Sequence, residues 1–242
     1  MCFTVNVNIV REELEKKFGT EFIDPRDYTP SYYYHAHSLP ELPVAGHFNN
    51  ELNIRLLKWG LIPEWVRGED KAREIRYMTF NARAESIATK PSFKYSFKKR
   101  RCIIPVRGFF EWQERNTGKV PWYIHLPGSE IMMLAGLYDT WRNPVDGSAV
   151  NTFTIITTGA NKLLSEIHNT KKRMPLILQE EKAGQWLRPQ TGEKDMDEIL
   201  QPYPDDGLEA HTISPLINNK RVNRNTPDII EPYSYPDQPG LF

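Results

Sequence analysis

The chain has 242 residues, and its 31 basic and 31 acidic side chains leave a formal net charge of zero. Hydrophobic residues make up 39% and aromatic residues 12%, which suffices for a packed core and excludes a disordered or low-complexity chain. Zero net charge also excludes a polycation that holds nucleic acid by bulk charge, so any anion site must come from local clustering.

Residues 2–8 alternate strictly, with Phe3, Val5 and Val7 on one face and Cys2, Thr4 and Asn6 on the other. This predicts a strand with Cys2 opposite the core-facing side chains. Over residues 10–18 the period changes. Val10, Leu14 and Phe18 stand four apart among charges, and Gly19 follows as a helix stop. Residues 24–50, rich in Pro, Tyr and His, read as a long loop with at most one strand. A run of strands follows: Ile54–Trp59, Arg101–Val106, Gly108–Glu114, Pro121–Leu126, Ile131–Trp141 and Thr152–Thr158, separated by Gly and Pro turns. Helices are expected at Asn161–His168, Glu180–Leu187 and Asp195–Leu200, and a last strand near Ala210–Ser214. The Pro- and Tyr-rich tail from Pro227 to residue 242 has no apolar period, and is expected to wrap the surface or stay disordered. Residues 1–226 therefore read as one domain. Its fold class is α+β, a largely antiparallel, barrel-like core with scattered short helices.

Two cysteines cannot build a disulfide framework, and there is no Cys-x-x-Cys pair for zinc. The longest apolar run, Ile131 to Tyr138, is too short to span a bilayer, and no signal peptide is legible at the start. The expected location is the cytoplasm. No metal or cofactor is assigned, since His35-x-His37 is the only histidine spacing of note.

Several short stretches could carry chemistry. An initiator Met before a small residue is usually trimmed, which would give Cys2 a free α-amine beside its thiol. The α-amine has a pKa of about 7.8 against about 10.4 for lysine, so at neutral pH it is far more often the nucleophilic neutral form. It can attack an aldehyde, and the tethered thiol can close the imine to a thiazolidine ring. Taken alone, Cys2 reads equally as an ordinary strand residue. Asn81-Ala82-Arg83-Ala84-Glu85 offers an amide and a phosphate-binding fork, or else a polar turn capping a helix near Ala84. Glu111, between Phe110 and Trp112, is a carboxylate among aromatics. That setting raises its pKa toward a useful proton-transfer range unless an arginine pairs with it. His168, at a helix end, is a proton carrier or a dipole-stabilised cap. Basic residues cluster at Lys94–Arg101 among Phe93, Tyr95 and Phe97, at Lys171–Arg173, and at Lys220, Arg221 and Arg224. Cations beside stacking rings suit single-stranded nucleic acid, and each cluster alone also suits a solvated surface.

Taken in order, these segments resemble the SRAP family, the SOS-response-associated peptidase domain proteins. The match runs through Met1-Cys2, Trp59-Gly60-Leu61-Ile62-Pro63-x-Trp65, Asn81-Ala82-Arg83-x-Glu85, Arg101-Cys102-Ile103-Ile104-Pro105 and Gly108-Phe109-Phe110-Glu111-Trp112. It continues through Ala135-Gly136-Leu137-Tyr138, Phe153-Thr154-Ile155-Ile156-Thr157, and His168 with Arg173-Met174-Pro175. The resemblance implies an enzyme that meets abasic sites in single-stranded DNA. It would form a thiazolidine crosslink through Cys2 after loss of Met1, with lyase and reversal chemistry as possible companions. On this reading Cys2, Asn81, Glu111 and His168 are catalytic, while Arg83, Arg173, Thr157, Lys171 and Lys172 hold DNA and Trp65 stacks on a base. The partner is single-stranded DNA with abasic sites, the protein is a monomer, and it joins the nucleoid when crosslinked. Three positions depart from the family pattern. Phe3-Thr4 replaces Gly-Arg, three extra residues separate His168 from Arg173, and Pro30-Ser31 replaces a Pro-Thr turn. The rival readings are a cysteine (auto)peptidase using Cys2 and a non-covalent single-strand binding module.

Overall fold

In the computed structural model, which describes residues 2–25, 28–188 and 190–236, the amino-terminal alternation becomes strand β1 (Thr4–Val7). The next segment forms helix α1 (Arg11–Phe18), stopped by Gly19 in the left-handed conformation. The expected long loop over 24–50 instead holds two strands, β2 (Ser31–His35) and β3 (Glu41–Phe48). Strand β3 turns directly into β4 (Glu51–Trp59), with Phe48 paired to Glu51. The two residues between them, Asn49 and Asn50, both have positive φ (54° and 67°), which a tight type I′ hairpin requires and which Asn tolerates. Helices α2 (Glu69–Met78) and α3 (Lys94–Lys99) were not legible in the sequence, and between them lies a short strand β5 (Asn81–Arg83).

The remaining elements follow the expected order, with two short strands, unexpected, between the helices expected at Asn161–His168 and Glu180–Leu187. Strands β6 (Arg101–Val106), β7 (Gly108–Arg115), β8 (Gly118–His125), β9 (Met132–Arg142) and β10 (Ala149–Gly159) precede α4 (Lys162–Ile167). After these come β11 (Arg173–Pro175), β12 (Ile177–Leu178), α5 (Glu180–Leu187), α6 (Glu193–Ile199) and β13 (Glu209–Thr212).

Strands β10, β4, β3, β6 and β9 form a closed five-stranded barrel. Four of its seams are antiparallel, and a parallel pairing of Thr152 and Phe153 with Lys58 and Trp59 closes the ring. The interior is tight at Gly136, where a Cβ would stand 2.7 Å from the carbonyl oxygen of Thr154. Beyond the closure, β10 continues with β5 on one side and β11 on the other. A second, antiparallel sheet runs β13-β8-β7-β1-β2. Strand β6 of the barrel passes into β7 of this sheet through Arg107, so the two layers share one chain segment.

Strand β1 lies between β7 and β2, and both of its faces are covered. The expectation that Cys2, Thr4 and Asn6 form an outward polar face is therefore corrected, since all three are buried. Their polar groups are satisfied internally. Asn6 Nδ2 donates to the Tyr123 hydroxyl at 3.0 Å, and Thr4 Oγ1 lies 2.9 Å from His35 Nδ1. The tail packs as far as Tyr235, whose hydroxyl donates to the Ile213 carbonyl at 2.9 Å. Ile229 is buried with Phe110, Tyr123, Ile213 and Ile217, and the Tyr233 amide donates to the Thr212 carbonyl at 2.8 Å. The last six residues of the predicted tail lie outside the described residues.

A candidate active-site cleft beside the first strand

Strand β7 carries Glu111 next to β1, because Val5 stands opposite Phe109 and Asn6 opposite Gly108. Continuing that register sets residue 3 against Glu111, and both side chains line a cleft of about 450 Å³. His35, Trp112, His168 and Lys171 also line it. Glu111 is buried, and desolvation pushes its carboxyl up from 4.5 to about 7. One ionisable neighbour is His168, whose Nε2 lies 4.0 Å from Glu111 Oε2. The arginine partner considered for Glu111 lies elsewhere, since Arg107 turns to Glu13 and Arg173 to Glu85.

Asn161 caps α4 by accepting from the Leu164 amide, and His168 ends the helix as its C-cap. The His168 imidazole donates from Nδ1 to the Arg173 carbonyl at 2.9 Å, which leaves Nε2 as the acceptor facing Glu111. Burial lowers the His168 pKa and keeps the ring neutral at pH 7. A carboxyl titrating near neutrality beside a neutral imidazole can take up and release a proton at pH 7.

Cys2 lies within electrostatic reach of Glu111. Asn81 Nδ2, at the start of β5, donates to the Cys2 carbonyl at 3.0 Å, while Asn81 Oδ1 is buried with no hydrogen-bond partner among the described residues. The Cys2 thiol is fully buried, and burial together with the nearby Glu111 charge raises its pKa strongly. Four residues far apart in sequence are thus linked in series: Asn81 holds the Cys2 carbonyl, the Glu111 charge reaches the Cys2 thiol, and His168 stands beside Glu111.

The predicted DNA-binding residues divide. Arg83 shares a face of β5 with Asn81 and is exposed. Arg173 is held within the protein by Glu85 and by the carbonyl and hydroxyl oxygens of Thr157 (2.6 and 3.2 Å), and Thr157 itself is buried. Lys171 and Lys172 are exposed on the turn after α4, and only Lys171 lines the cleft. Trp65 is half exposed on the loop after β4 and does not line the cleft. In the Lys94–Arg101 cluster, Arg100 pairs with Glu64 and Asp139, while Arg101 donates to the Trp186 and Phe97 carbonyls (2.6 and 2.8 Å). Those two cations hold the fold together. Sequence reasoning missed His35, whose ring stacks between Tyr33 and His37 at centroid distances of 6.3 and 5.2 Å. The alternation of Tyr33 and His35 along β2 is the signal that could have revealed it, whereas His37 lies in the turn beyond the strand.

A family model described as SOS response associated peptidase (SRAP) matches residues 1–220. The chain belongs to the SRAP family. Among its relatives is the abasic site processing protein YoqW of Bacillus subtilis (strain 168), 38% identical over 236 residues, covering 96% of this chain and 99% of that protein. The abasic site processing protein HMCES of Xenopus tropicalis is 32% identical over 245 residues, covering 88% of this chain and 71% of HMCES. A crystal structure of a Bacteroides thetaiotaomicron protein superposes on this SRAP chain with a TM-score of 0.90 at 34% identity, covering 96% of this chain and all of that one. The barrel with its antiparallel sheet is thus the SRAP architecture, and no helix among the described residues is long and apolar enough to cross a membrane.

Proposed function

We propose that this SRAP protein processes abasic sites in single-stranded DNA by a covalent link through Cys2, formed once residue 1 has been removed. The observation that supports this reading is the series that runs from Asn81 through Cys2 to the buried Glu111 and His168. The relatives named abasic site processing proteins supply the substrate class.

The chemistry follows from the groups present. The neutral α-amine of Cys2 attacks C1′ of the ring-opened sugar, and water leaves as the imine forms. Glu111, near pH 7 in its titration, gives the proton that turns the carbinolamine hydroxyl into that water. The thiol then adds across the C=N bond. Sulfur bonds to C1′, its proton goes to the Glu111 carboxylate, and the ring nitrogen takes a proton back. No redox change occurs. Burial keeps the thiol protonated until the imine is in place. The free Asn81 oxygen accepts from a sugar hydroxyl, and His168 Nε2 takes the proton whose loss opens the sugar ring. Exposed Arg83 meets a flanking phosphate, whereas Arg173 must first leave Glu85 to do so.

The test is a denaturing gel and an intact mass spectrum after incubation with an abasic single-stranded oligonucleotide. The wild-type chain without Met1 should give a band that survives denaturant and high salt, which non-covalent binding does not. Cys2→Ala should abolish it. An undiminished band from Cys2→Ala, or a wild-type adduct that dissolves in salt, overturns the reading.

A further inference from the structure

The turn that follows His168 is fixed in place. The Lys172 amide donates to the His168 carbonyl at 2.9 Å, and the Ala160 amide to the Lys172 carbonyl at 3.0 Å. Lys172 itself takes a positive φ of 49° to close the turn. Asn169 clamps the turn to β7 through a two-way amide pair with the Glu114 backbone, at 2.8 and 3.1 Å. Held this way, the turn presents Lys171 to the cleft that Glu111 and His168 line. Its charge acts on both of those groups. The other lysine of the cleft, Lys119, pairs with Glu114 at 3.3 Å. Among the described residues, by contrast, no hydrogen bond or ion pair engages the Lys171 ammonium.

We propose that Lys171 is a second amine nucleophile of the cleft, one that captures the ring-opened aldehyde of an abasic site as a Schiff base. The inference rests on the reading of this cleft as an abasic-site centre. After Lys171 gives its ammonium proton to a solvent base, Nζ attacks C1′ and the carbinolamine loses water to form the imine. No thiol stands two carbons away from this nitrogen to close a ring, so the sequence stops there. The imine either returns to amine and aldehyde by taking up water or loses its C2′ proton to the Glu111 carboxylate. In the second case the C3′–O bond breaks, the 3′ phosphate leaves, and water later frees the lysine. Cys2 makes a lasting ring, whereas Lys171 makes a transient link that ends in strand cleavage.

The experiment uses the full chain carrying Cys2→Ala, abasic single-stranded oligonucleotide, and sodium borohydride, which adds hydride to C1′ of an imine and makes the link permanent. Peptide mass mapping then locates the reduced adduct. It should map to Lys171. Adding Lys171→Arg should lower the trapped product about fivefold, and Lys119→Arg should leave it unchanged. An adduct found only at residue 2, no adduct at all, or a yield insensitive to Lys171→Arg overturns the proposal. A wild-type chain that forms no denaturant-resistant link without borohydride, while Lys171 is still modified, overturns the Cys2 reading alone.

Discussion

Glu111 and His168 show how far a single environment decides a residue's chemistry. Folding desolvates Glu111, so between pH 4.5 and about 7 the native chain holds a proton that the unfolded chain releases. Native stability is therefore fully present below that window and falls as pH rises through it, because the ionised carboxylate is penalised by burial. Glu111→Gln removes the penalty. We expect it to gain about 3 kcal/mol of stability relative to wild type between pH 4 and pH 8, as read by urea unfolding at both pH values. The same substitution should slow crosslinking at pH 7 by about 10²-fold, within the usual range for a lost general acid, with binding to intact single strands unchanged. Equal rates for the two proteins would remove Glu111 from the mechanism. The stretch Phe110-Glu111-Trp112 offered a raised pKa and an arginine pair as equal readings. On strand β7 the two rings project to the opposite face, so the desolvation of Glu111 comes from tertiary burial. The partner was not legible, because nothing local ties residue 111 to residue 168. Likewise the Arg173–Glu85 clamp joins residues 88 apart, and the family motif gives no hint that this arginine is already engaged.

Among the elements, those with a clean period were the readable ones. The expected bounds of β6 and α5 coincide with the observed ones, and Asn161 and His168 end α4 on either side. Strand β3 was missed because it contains Pro43, which reads as a strand breaker. The structure explains its tolerance. Strand β3 pairs with β6 only at Ala45 and Gly46, so Pro43 sits beyond that ladder and its missing donor costs nothing there. Helix α2 hid for the opposite reason, since only Ala72 and Ile75 of its ten residues are buried and its charges swamp the period. The β3–β4 turn was readable in principle from Asn49-Asn50. Asn50 pays a steric cost at φ 67° that glycine avoids, so Asn50→Gly should stabilise the chain by about 0.5 kcal/mol in denaturant unfolding.

For the whole molecule, composition gave the class and little of the closure. The parallel seam between β4 and β10 joins Trp59 to Phe153, a pairing that no local pattern announces. Its consequence is that β10 touches the barrel, β5 and β11 at once, and so holds the Asn81 strand and the Arg173 strand in one frame. The neutral total charge is compatible with a DNA-processing role because few cations are needed to recognise one missing base. The structure spends several of the others, including Arg100 and Arg101, on carbonyls and carboxylates of its own.

The position of β1 bears on the surroundings of the proposed link at residue 2. A strand bonded along both edges and covered on both faces opens only when its neighbours do, so it belongs to the most protected part of the chain. The amide of Val5 should therefore exchange with deuterium at the free energy of global unfolding, and faster exchange would place β1 in a separately opening unit. On the proposed Cys2 chemistry, the sugar would be tethered beside this protected strand, so local opening of the chain would free nothing and the DNA would leave intact only by chemical reversal of the bond itself.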